Sequence, residues 1–146
     1  MKLSEIQEMW TNDCKIDQLN LGPESTKTPE LHSKYLNLLS NSKLQLRKYE
    51  AEYFRLRGRK MKWYRGELSR QDLEDLGWDQ WLGNKPLKNE LDDIIQCDDD
   101  IIKAQDKVEY IKATIYQLEQ IIRSLNSRTW DIKSAIEWTK FTNGLM

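Results

Sequence analysis

The sequence carries a single histidine, two cysteines, three prolines and six glycines among 146 residues, and no long unbroken apolar run. Each scarcity removes a class of protein. His32 has no second ligand nearby, and Cys14 and Cys97 stand far apart outside any CxxC spacing, so neither a structural zinc site nor a disulfide framework is expected. One histidine leaves no partner for a nucleophile, and neither a Gly-rich phosphate loop nor a GxSxG turn occurs. No enzyme activity, cofactor or metal is therefore expected, and His32 reads as a helix-surface residue. The opening "MKLSEIQEMW" is charged where a signal peptide is apolar, and no window is long and apolar enough to cross a bilayer. A soluble intracellular protein without membrane contact is expected.

What is abundant is charge: 32% of residues are Asp, Glu, Lys or Arg, against 38% hydrophobic. That balance is lean for a compact monomer and suits an elongated helical chain that buries apolar surface partly against copies of itself. The net charge of -1 conceals a segregation along the chain. Lys43 to Arg65 holds nine basic residues and two acids, whereas Gly66 to Asp100 holds eleven acids and three bases. Local potential acts within a Debye length of about 10 Å, so this polarity and not the overall charge sets partner choice.

The punctuation residues outline the elements. Gly22, Pro23 and Pro29 among serines and threonines mark an irregular connection after a short amphipathic start, and Thr28 then reads as the N-cap of a helix with Pro29 in its first turn. The apolar seam of that helix runs through Tyr35, Leu39, Leu46, Tyr49, Tyr53 and Leu56, and Gly58 leaves its continuation to Tyr64 open. Ser69 reads as the N-cap of a turn of helix to Leu76, followed by a loop anchored by Trp78 and Trp81. Beyond Pro86, Leu87, Leu91, Ile94, Ile101, Val108, Ile111, Ile115, Leu118, Ile122 and Leu125 recur at heptad-like spacing, with Asp98 and Gln105 at two seam positions. This predicts one long helix with a coiled-coil-like seam through which the chain self-associates. The tail adds a helical face from Trp130, Ile136 and Trp138, with Gly144 as a stop signal. The fold class is all-α, with residues 1–86 as an N-terminal helical region with a loop-rich end and residues 87–146 as an oligomerisation region.

The basic block "FRLRGRKMKWYRG", Phe54 to Gly66, contains no acid. On a helix turning about 100° per residue, Lys48, Arg55, Arg59 and Lys62 fall on one stripe away from the apolar seam. Phe54, Trp63 or Tyr64 could offer faces on which bases stack. A solvated helix face beside core aromatics would look similar, and the lack of neutralising acids favours nucleic acid. Asp92, Asp93, Asp98, Asp99 and Asp100 could suggest a metal-dependent nuclease, but consecutive helical residues point about 100° apart and do not converge. A solvated acidic collar is expected, with contact to the basic block of a neighbouring subunit as the alternative.

Several ordered stretches carry a resemblance: "DCKID" (Asp13 to Asp17), "HSKYLN" (His32 to Asn37), "YEAE" (Tyr49 to Glu52), "WYRG" (Trp63 to Gly66) and "SRTWDIKSAIEWTKFTNG" (Ser127 to Gly144). Taken together they resemble the UvsY-type recombination mediators of tailed bacteriophages. The resemblance implies a homo-oligomeric ring that binds single-stranded DNA and helps load a phage RecA-type recombinase onto strands coated by the phage single-strand-binding protein, in the cytoplasm of the infected bacterial host. The family's pair of basic residues maps onto "RGRK", Arg57 to Lys60, where Gly58 replaces one expected cation and Arg57 and Arg59 are candidates to substitute. The implied DNA-binding set is Lys48, Arg55, Arg57, Arg59, Lys60, Lys62, Trp63, Tyr64 and Arg65. A structural scaffold whose basic block binds an acidic protein is the alternative reading.

Overall fold

The computed structural model describes residues 1–144, and among them every regular element is a helix. In chain order these are α1 (Leu3–Asp13), α2 (Leu21–Tyr64), α3 (Arg70–Leu76), α4 (Leu91–Gln96) and α5 (Asp99–Thr142). The chain forms two compact units, one from Met1–Leu44 and the chain from Ile111 onward, the other from Gln45–Tyr110. The 44-residue helices α2 and α5 each contribute to both. This grouping follows packing and not chain order, unlike the expected division at residue 86.

In the first unit, Ile6 of α1, Tyr35 and Leu39 of α2, and Ile111, Ile115, Leu118, Ile121, Leu125 and Ile132 of α5 form the buried apolar side chains. The α5 set recurs at three, four and finally seven residues, one helical face. Trp10 meets the Tyr35 ring edge-on at 5.4 Å, and the Tyr35 hydroxyl donates to Asp13 at 2.7 Å, tying α1 to α2.

Helix α2 begins seven residues before the expected Thr28 cap. Asp17 closes a local turn by accepting from the Leu19 N–H at 2.9 Å, and the Asn20 carbonyl accepts the first helical bond, from the Glu24 N–H at 3.0 Å. Pro23 sits in the first turn, where its missing N–H costs nothing. Pro29 is consequently interior, a placement that removes one ladder bond and usually breaks a helix. Arg128 of α5 ties down the turn just before it, although not the Ser25 carbonyl that Pro29 leaves without a donor: Nη1 donates to the Glu24 carbonyl and to Thr28 Oγ1, and Nη2 to the Glu24 carboxylate at 2.7 Å. The Lys27 ammonium holds the Glu24 carboxyl below its ordinary pKa against the opposing effect of desolvation, with Arg128 acting in the same direction. A long-range clamp thus replaces the predicted local cap.

In the second unit, Tyr64, Leu91, Ile95 and Ile101 form the buried cluster, packed by Tyr53, Leu56, Met61, Trp63, Trp81 and Ile94. Gly58 does not interrupt α2, which stops instead at Gly66: its φ of +69° is the left-handed conformation, and the Glu67 N–H reaches back to the Lys62 carbonyl at 2.9 Å. Ser69 caps α3 as expected, accepting from the Asp72 N–H at 3.1 Å, and Gly77 ends it with a φ of +68°. Trp63 and Trp81 then fasten the loop, donating to the Asp79 and Asn84 carbonyls at 2.7 and 3.2 Å.

The expected helix from Leu87 is divided. Asp98 caps α5 by accepting from the N–H groups of Asp100 at 2.9 Å and Ile101 at 3.3 Å, so α4 ends at Gln96 and a new helix starts at Asp99. The seam is also spent inside the chain: Leu91, Ile101, Val108, Ile111, Ile115, Leu118 and Leu125 are buried, Ile94 and Ile122 half-buried, and Leu87 lies exposed outside the helix. Most of the apolar face expected to meet other copies is covered by this chain's own elements. α5 stops at Thr142, and Gly144 follows with a φ of +71°, as its sequence position suggests.

Candidate nucleic-acid interface

The C-terminal half of α2 sorts the candidate residues by helix face. Tyr49, Tyr53, Leu56, Lys60 and Tyr64 follow spacings of three and four and turn inward, so Lys60 is carried into the core with the aromatics. Its side chain is 7% exposed, and its ammonium lies 3.2 Å from Asp98 and 2.9 Å from Asp100. It also sits 4.7 and 4.5 Å from the ring centroids of Trp63 and Trp78, within cation–π range. The two carboxylates converge because Asp98 is a cap and not a helical residue, so the 100° rule does not separate it from Asp100. Asp98 is therefore a buried hub and not part of a solvated collar, and the basic block is met by acids of its own chain.

Tyr64 completes that hub by donating to Asp98 at 2.8 Å. Burial works to raise the Asp98 pKa, but the Tyr64 hydroxyl, the Ile101 N–H and Lys60 outweigh it and hold the carboxyl below its ordinary value. Desolvation, with Asp98 accepting its proton, pushes the Tyr64 phenol upward. Trp63 and Tyr64 face each other at 4.9 Å and Trp81 at 5.2 and 4.9 Å, so these two rings serve the core and present little free face. Arg57 pairs with Asp92 at 2.9 Å at the surface, and Arg65 is half-buried.

A separate face of α2, about 130° around the helix from the inward-turned seam, carries Lys48, Arg55, Arg59 and Lys62, all exposed and none in an ion pair among the described residues. Over fourteen residues at about 1.5 Å each, the row measures roughly 20 Å. Phe54, 65% exposed, is the accessible aromatic among the three stacking candidates. The stripe was legible from helical spacing. The capture of Lys60 was half legible, since its position on the seam signals burial, but its acidic partners lie 38 and 40 residues downstream.

The family model described as recombination, repair and ssDNA binding protein UvsY matches residues 9–145. The recombination protein uvsY of Enterobacteria phage T4 is 24% identical over 144 residues, covering 99% of each chain. A crystal structure of the bacteriophage T4 recombination mediator protein UvsY superposes with a TM-score of 0.85 at 22% identity over 98% of both chains. Another, in a different lattice, gives 0.82 at 23% identity over 94% of this chain and 98% of that one, so the helical architecture is shared. Matched over nearly its full length, the chain belongs to the UvsY family of recombination, repair and single-stranded-DNA-binding proteins.

Proposed function

We propose that this chain is a recombination mediator that holds single-stranded DNA along Lys48, Arg55, Arg59 and Lys62 and helps load a phage RecA-type recombinase onto strands coated by single-strand-binding protein. It performs no chemistry itself and works in the cytoplasm of the infected bacterial host. The observation that carries the reading is the exposed stripe of four cations, none within ion-pair distance of an acid among the described residues, with Asp72 and Asp75 across a cavity from Arg59 and Lys62. Arg57 and Lys60, by contrast, already hold carboxylates, so they contribute to the fold that displays the stripe.

Assembly as a ring-like homo-oligomer belongs to the same proposal. With the α5 seam mostly buried, the exposed apolar surface available for it includes Trp130, Trp138 and Phe141, exposed by 68%, 65% and 59%. Repeated weak sites around a ring make later contacts intramolecular and raise avidity steeply.

Binding to oligo-thymidine distinguishes this reading from a scaffold that binds an acidic protein. Affinity should fall with salt at a log–log slope of about -0.7 for each contacted phosphate. Arg55→Ala with Arg59→Ala should weaken binding at unchanged helix content, whereas Lys60→Gln should lower thermal stability first. Wild-type affinity in the Arg55/Arg59 variant would overturn the stripe assignment. For the loading step, the protein should shorten the lag of recombinase filament formation on strands precoated with single-strand-binding protein, and an unchanged lag would overturn it.

A further inference from the structure

The second unit contains a groove of about 430 Å³, open between Tyr49 to Leu56 of α2 and Asp100 to Lys107 of α5. Its volume lies within the range of about 300–1,000 Å³ common for ligand sites. Tyr49 and Trp78, both half-buried, give it aromatic surface, with Lys60 already 4.5 Å from the Trp78 ring centroid and Trp63 at 5.9 Å. Lys103 and Lys107 line the α5 side, exposed and without an ion pair among the described residues, and the Lys107 ammonium lies 5.9 Å from the Tyr49 ring centroid. Two acids also line the groove. Asp100 is already held by Lys60 at 2.9 Å, which leaves Glu52 as the unpaired acid against two free lysines.

Cations along one wall and aromatic faces beneath are the components of a single-strand site: the charges track the backbone and the rings stack bases without sequence preference. Glu52 lies about 40° around α2 from Lys48 and about 20° from Arg59, so the groove borders the exposed stripe directly. Lys103 and Lys107 are separated by about 6 Å of helix rise, comparable with neighbouring phosphates on an extended strand.

We infer that this groove is a second subsite for single-stranded DNA, in which Lys103 and Lys107 contact successive phosphates and a base stacks against Trp78 and Tyr49. The inference rests on the stripe reading and extends the strand path from α2 onto α5. Glu52 is its unfavourable element, moderating affinity at the border between the two cationic walls.

The test is salt-dependent binding of oligo-thymidine to the full chain. Lys103→Gln with Lys107→Gln should flatten the log–log slope by about 1.4, two contacts at roughly 0.7 each. Removing the same charge at Lys15 and Lys88 should leave the slope unchanged, and Glu52→Gln should tighten binding severalfold. With 5-iodouracil in the oligonucleotide, photocrosslinks should appear on Trp78 or Tyr49. An unchanged slope in the Lys103/Lys107 variant, an equal loss in the Lys15/Lys88 control, no gain from Glu52→Gln, or crosslinks confined elsewhere would each overturn the subsite. The Arg55/Arg59 variant separates the two proposals: reduced binding there with wild-type behaviour in the Lys103/Lys107 variant removes the groove and leaves the stripe standing.

Discussion

Lys60 and Asp98 form a buried ion pair, Nζ to Oδ2 at 3.2 Å, with both side chains 7% exposed. One carboxylate thereby performs three tasks: it caps α5, accepts from Tyr64 and neutralises a lysine drawn into the core with the α2 seam. The basic block is consequently two populations of cations, one internal and structural, the other displayed.

The Asp98 carboxyl has a lowered pKa in the fold, so its contribution is fully present above its unfolded value, near 3.8, and is lost as pH falls through the still lower folded value. Asp98→Asn keeps a good cap while removing the charge. The melting-temperature gap between wild type and this variant should be constant from about pH 7 to pH 5 and close below about pH 4. A gap that persists at the lowest pH would show that the charge is not what stabilises the hub.

Gly58 lies mid-helix, and a methyl group placed on it meets no atom within 4 Å. Gly58→Ala should therefore stabilise the protein by about 1 kcal/mol, the helix propensity difference, and raise Tm by a few degrees. Thermal melts followed at 222 nm would detect it. A lowered Tm would mean that the position needs flexibility or close approach in the assembled protein.

Arg128 holds the turn of α2 that precedes Pro29, and its removal takes away the buried partner of the Glu24 carboxylate, leaving Lys27 at 2.8 Å as its cation. Losing one partner of a buried pair is strongly destabilising, and Arg128→Met should lower Tm by about 10 °C. Hydrogen exchange should localise the loosening to residues 21–29. Uniform protection through that segment would count against the clamp.

Trp138 and Phe141 stack with ring centroids 5.9 Å apart while remaining largely exposed. If they are the self-association surface, Trp138→Ala with Phe141→Ala should shift the protein to smaller species in sedimentation velocity at unchanged helix content. Single-strand avidity should then fall more than single-site affinity does. An unaltered sedimentation coefficient would rule this surface out.

The local code was readable residue by residue. Ser69 names its helix start because its side chain reaches an N–H three residues on, and Gly66, Gly77 and Gly144 sit just past helix ends because they adopt positive φ. Spacings of three and four separated the α2 stripe from its seam, and charge counting exposed the polarity between residues 43 and 100. Readings that depended on distant partners came out differently. Thr28 and Pro29 have the chemistry of a helix start, yet the helix runs through them, and the Thr28 hydroxyl accepts from Arg128, one hundred residues away. The α5 periodicity specified an apolar face but not what covers it, and most of that face is buried within this chain. Composition and spacing by themselves determined an all-helical chain with one basic face and one acidic segment. Only the tertiary structure decided which cations stay free, because neutralisation of Lys60 and Arg57 comes from carboxylates brought near by folding, and periodicity encodes a residue's face and not its neighbour.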